Sequence, residues 1–142
     1  MSPESRAAWG FDSQTYGQTT MRRLSLARVV VEDVSKLRTP VYVIHAAVEV
    51  IPGDSPDPEE IRAALVALLV ERWEFEVDEP GSENPGEGRF EGHGPDRIAH
   101  ALALALRSRY TGDRYISVSV DENECLGAAV VFDPALRLGD RA

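Results

Sequence analysis

The side chains able to do chemistry are few, and they are scattered along the chain. His45, His93 and His100 are the three histidines, and Cys125 is the only cysteine. A zinc centre takes three or four such ligands at workable spacing. No H-E-x-x-H, paired C-x-x-C or calcium-loop pattern occurs, so neither a metal site nor a cofactor is expected. His45 and Glu49 share one face of a strand but lie too far apart for a direct pair, and His100 belongs to a polar helix face. His93 sits between Gly92 and Gly94, where backbone could approach a ligand, and is a candidate ligand-binding residue.

Nucleophilic catalysis would need an activated Ser or Cys. Ser117 and Ser119 fall on the outward face of a strand with no histidine nearby in sequence. Cys125 is surrounded by Asp121, Glu122 and Glu124. Negative neighbours disfavour a thiolate, so a passive turn cysteine is expected and no catalytic residue is assigned. Gly86, Gly88, Gly92 and Gly94 lead into a helix beginning at Pro95. Their spacing is neither G-x-G-x-x-G nor a P-loop, and no lysine follows, so a flexible loop is expected. The run 121–124 is the densest acidic spot. It reads as a solvated hairpin tip that could hold a cation or a basic partner.

The elements that must position these groups are legible from periodicity. Residues 1–21 are polar and lack a period, which predicts a flexible tail, although Trp9, Phe11 and Tyr16 lie inside it. Residues 24–34 and 41–51 read as two strands of an antiparallel hairpin, with Tyr42, Ile44, Ala46 and Val48 on one face. A helix follows, with Asp57 as N-cap, Pro58 at its first position and Glu60 placed for a capping box. Its core face is Ile61, Ala64, Leu65, Leu68 and Leu69; Val66 and Val70 fall outside that face.

Residues 73–78 alternate, with Trp73, Phe75 and Val77 pointing one way, which predicts a half-wet strand. Residues 79–88 read as a mobile loop and 89–93 as a short strand around Phe90. A second helix spans 96–110, with Leu104 stranded among Arg97, His100 and Arg107 on its polar side. Residues 114–120 and 127–132 form a closing hairpin. The fold class is therefore α+β: a mainly antiparallel sheet with two helices packed on one face, in the order ββα-ββ-αββ. Residues 22–136 form the single domain, and 137–142 a short C-terminal tail.

Hydrophobic residues make up 43% of the chain, too many for a disordered polymer. The net charge of −9 repels phosphate backbones and anionic bilayers, so neither nucleic acid nor membrane is an expected partner. The single cysteine and the lack of a secretory signal predict a soluble, acidic, cytoplasmic protein. Only one of the fifteen basic residues is lysine, Lys36, which suits a high-GC bacterial or phage genome.

The element order, with local similarity over 96–132, resembles the tunnelling fold of pterin- and purine-handling enzymes. That resemblance implies a small-molecule site between subunits, with a carboxylate anchoring the heterocycle at the position of Glu122. The paired zinc-binding histidines of the 6-pyruvoyltetrahydropterin synthase branch have no counterpart around residues 42–48.

The residues themselves favour a non-enzymatic assembly or accessory protein, acting through contacts with itself or another protein chain as a homo-oligomer or obligate partner-binder. Val66, Val70, Trp73 and Leu104 are its candidate interface residues: Val66, Val70 and Leu104 place apolar surface on otherwise polar helix faces, and Trp73 lies on the same side as the two valines.

Overall fold

The structure, a computed structural model, describes residues 21–77 and 84–135. Residues 1–20 of the tail expected at 1–21, the tail expected at 137–142, and residues 79–83 of the loop expected at 79–88 lie outside the described residues. Seven elements follow in order: β1 (Leu24–Asp33), β2 (Val41–Glu49), α1 (Pro58–Trp73), β3 (Gly86–Gly88), α2 (Pro95–Arg109), β4 (Ile116–Glu122) and β5 (Leu126–Phe132). They form one five-stranded sheet in the order β3-β1-β2-β4-β5. All neighbours are antiparallel except β1 and β3, which run parallel. Both expected hairpins are present, and the two helices lie on one face.

Alternation decides which side chains enter the core. Val29 and Val31 of β1, Tyr42, Ile44, Ala46 and Val48 of β2, and Ile116, Val118 and Val120 of β4 are all buried on the helix-facing side. From α1, Ile61, Leu65 and Leu69 meet them, each fully buried. Each such side chain contributes roughly 1.5–3 kcal/mol by leaving water. From α2 come Ile98, Ala99, Leu102, Ala103 and Leu106, and all of these belong to one cluster.

Local chemistry sets the helix ends. The Asp57 carboxylate accepts from Glu59 N–H at 3.0 Å, and Pro58 occupies the first turn. At the other end Glu74 adopts the left-handed conformation at φ 57°. Glu74 N–H then donates to Val70 O at 3.0 Å and Phe75 N–H to Leu69 O at 3.3 Å, which closes the helix in a left-handed αL stop. α2 starts after Gly94 without a side-chain cap, and its last carbonyls are followed by Gly112 at φ 99°.

The middle of the chain differs in detail from its sequence reading. Trp73 is the last residue of α1 rather than the first of a strand. The alternation of 73–77 is kept, with Trp73 and Phe75 buried, but the strand contracts to a single bridge between Glu76 and Glu87, bonded both ways at 2.8 and 2.9 Å. The strand expected at 89–93 lies instead at Gly86–Gly88, inside the segment expected to be loop. The physical reason is close approach. A Cβ on Gly88 would fall onto the Phe75 ring, so glycine lets this strand pass over an aromatic side chain.

Candidate functional site

The end of the sheet at the β1–β2 turn gathers the polar side chains of the helix-facing layer. Asp33 closes β1 and is fully buried. Its carboxylate accepts from Ser35 N–H at 2.9 Å, from the Ser35 hydroxyl, and from Phe90 N–H at 3.4 Å. Asp33 is thus satisfied by local donors and fastens the turn to the segment before α2. Lys36, in that turn, donates from Nζ to the Tyr42 hydroxyl at 2.8 Å. Glu122 stands directly across from Tyr42 in the β2–β4 register.

Electrostatics fix the protonation of this pair. Burial pushes the Tyr42 phenol above its ordinary value, against the opposing bond from Lys36. The bond to Tyr42 raises Lys36, with smaller contributions from Glu122 and Asp33. At neutral pH Lys36 is therefore an ammonium and Tyr42 a neutral phenol. The pair can hold a polar or anionic group but supplies no general base.

An aromatic chain leads away from this cluster. Tyr42 meets Phe90 at 4.8 Å, Phe90 meets Trp73 at 5.1 Å, and Trp73 meets His93 at 6.1 Å. Trp73 Nε1–H donates to His93 Nδ1 at 3.3 Å, so His93 braces the indole. Of the two ligand candidates, Glu122 comes beside Lys36 and Tyr42, while His93 sits at the far end of the aromatic chain. The fold does not bring the two together into one site. Lys36 escaped the sequence reading as a site residue. Its one signal was being the sole lysine, six residues before a tyrosine that points into the core.

The opposite face of the sheet has no covering layer among the described residues. Leu26 is 63% exposed, Val131 41% and Leu24 40%. Register sets Leu26, Ala47, Ser117 and Val131 in one cross-strand row, and Arg28, His45, Ser119 and Ala129 in the next. Ser119 therefore has a histidine opposite it, which sequence spacing did not reveal. Among the described residues no hydrogen bond joins His45 to Ser119 and no carboxylate bonds the imidazole, so the pair lacks the orienting group of a catalytic dyad. At one end of this face Arg22 pairs with Asp133 at 2.7 Å and lies over the Tyr115 ring at 5.0 Å.

At the same end, the loop after β2 bears an open cleft of about 480 Å³ lined by Arg22, Glu49, Pro52 and Ser55 among others. The Glu49 carboxylate already accepts from Tyr115 N–H at 2.7 Å. Arg114, 4% exposed, pins this loop by donating to Asp54 at 2.6 Å and to Glu49 O at 3.3 Å. Among the described residues no three His, Cys, Asp or Glu side chains gather as a metal site.

The four interface candidates divide. Trp73 is 3% exposed, packed against the Phe90 ring, and Val66 is partly buried against the core. Val70 and Leu104 remain exposed, at 47% and 45%. No helix among the described residues is long and apolar enough to cross a membrane. No protein-family model matches the chain, and no curated protein matches it.

Proposed function

We propose that this is a non-enzymatic assembly or accessory protein that acts through protein–protein contacts, with a second copy of itself as its first partner. One observation carries the reading: the sheet face opposite the helices is uncovered among the described residues and bears Leu24, Leu26 and Val131. Scattered apolar side chains are ordinary on a monomer; here Leu24 and Leu26 share one strand of the uncovered face, and Val131 ends the same cross-strand row as Leu26. The net charge of −9 argues against nucleic acid or an anionic bilayer as the partner. The exposed lone thiol of Cys125 supports work in a reducing compartment, the cytoplasm. Light scattering tests the reading directly. A mass of at least two chains, or a co-purifying protein in fixed ratio, is expected; a monomer without a partner overturns it.

A second reading has its own observation. Glu122 lies in register with Tyr42 and within electrostatic reach of Lys36. An acidic anchor beside a cation suits a pterin- or purine-type heterocycle held between subunits in the tunnelling-fold manner. Calorimetric titration with neopterin and with guanine tests this. Binding that is lost in Glu122→Gln supports an enzyme-type site, and no heat with either probe removes it.

A further inference from the structure

The strand that ends the sheet, β5, carries no charged residue from Leu126 to Phe132 and contains neither proline nor an inserted residue. Natural edge strands are protected by charge, proline, bulges or cover, and the other edges of this sheet are. β3 is three residues long, and the Glu76 bridge already takes up Glu87 on its outer side. The half of β1 that β3 does not reach carries Arg28 and follows Arg22 and Arg23. Among the described residues nothing pairs with the outer side of β5.

The hydrogen-bond phase of the sheet identifies the open groups. Glu49 N–H donates to Tyr115 O, and Asn123 N–H to Val41 O. Odd-numbered residues of β4 and the adjoining turns therefore bond toward β2, and Ile116, Val118, Val120 and Glu122 bond toward β5. Their partners Phe132, Val130, Ala128 and Leu126 are thus used. The N–H and C=O groups of Gly127, Ala129 and Val131 point outward.

That set is symmetric about Ala129. In an antiparallel pair with a second copy, Ala129 faces Ala129 and Gly127 faces Val131, so every outward group finds a partner and large meets small. The pair also brings Phe132 beside Leu126 of the other copy. Arg107 lies 4.7 Å over the Phe132 ring, so a cation reaches the end of the other copy's acidic turn. Arg107 further shows that this side of α2 overhangs β5. Leu104, one turn earlier and 45% exposed, stands on the same side.

We propose that β5 is the self-association edge: two copies pair β5 to β5 about a two-fold axis at Ala129, making one continuous ten-stranded sheet with Leu104 covered across the seam. This rests on the self-association reading above and names its surface.

Ala129→Pro tests it, because proline there removes only an outward N–H. The wild type runs as a dimer. The variant keeps its circular dichroism and runs as a monomer, with dimerisation weakened on the order of 100-fold. As a second measurement, Ala129→Cys in a Cys125→Ser background forms an intermolecular disulfide on mild oxidation. Hydrogen-bonded antiparallel partners place their Cα atoms about 5.5 Å apart, inside the range a disulfide spans. A dimer unchanged by Ala129→Pro, with no cross-link in the Ala129→Cys variant, overturns the β5 edge but leaves self-association standing through the open face. A ring larger than a dimer that Ala129→Pro disperses overturns the two-fold form in favour of β5 meeting β1. A monomeric wild type overturns both the edge and the reading it rests on.

Discussion

Lys36 and Tyr42 couple the turn after β1 to the core, and their protonation gives a pH signature. Folding raises Tyr42 above its ordinary value, chiefly by burial. It raises Lys36 as well, chiefly through the bond to Tyr42. Unfolded tyrosine and lysine lose their protons at about pH 10 and 10.4. Above about pH 10 the folded chain therefore holds more protons than the unfolded one, and stability falls as pH rises. Below the unfolded values the contribution is fully present. The urea midpoint of the wild type should stay level from about pH 7 to about 9 and drop above about 10. Tyr42→Phe should flatten that drop, since it removes the phenol and the acceptor for Lys36 together. An equally steep fall in Tyr42→Phe would assign the alkaline loss to other groups. Little of this was legible from the residues in order. His93 was singled out by its two flanking glycines, and Glu122 by the resemblance to the tunnelling fold. The partner that gives Glu122 its setting, Lys36, is brought to it only by the β2–β4 register.

Elements whose signals are local were read closely, and those that depend on distant packing were not. Asp57, Pro58 and a 3.6-residue period specify α1 within its own sequence, and the helix begins where those residues place it. The stretch Gly86–Gly88 has the composition of a loop because its glycines answer to a ring contributed from elsewhere. Gly88 passes over Phe75, and no sequence window around Gly88 contains that fact. Gly88→Ala should therefore cost about 1–3 kcal/mol through overpacking. Denaturant unfolding should show a lowered midpoint with an unchanged slope, and a variant as stable as the wild type would mean that the Phe75 ring has room to move. Trp73 illustrates the same limit. Its alternation with Phe75 was visible, but the left-handed stop at Glu74 assigns it to the helix end.

At the scale of the whole molecule, the sheet divides the described surface into one face covered by α1 and α2 and one left open. The order of elements foretold that single layer, because helices on one face of an antiparallel sheet is the stable arrangement for such an order. Which exposed apolar residue matters is a question of position in the layer. Val70 and Leu104 are nearly equal in exposure, at 47% and 45%, so exposure alone does not rank them. Their helices do. α1 packs against β1, whereas α2 packs against β4 and β5. Leu104 therefore neighbours the uncharged edge, and Val70 stands away from it over the other side of the sheet. If β5 is the seam, Leu104→Glu places a carboxylate in the contact of two chains that each carry −9. Desolvation and like-charge repulsion then act together. Leu104→Glu should shift the dimer to monomer at micromolar concentration in a sedimentation-velocity run, and Val70→Glu should leave the distribution of the wild type in place. Neither change enters the core cluster, so both variants should unfold within about 0.5 kcal/mol of the wild-type monomer, as surface substitutions do. The opposite ranking, with Val70→Glu dissociating the protein and Leu104→Glu silent, would move the interface to α1 and leave β5 an unpaired edge.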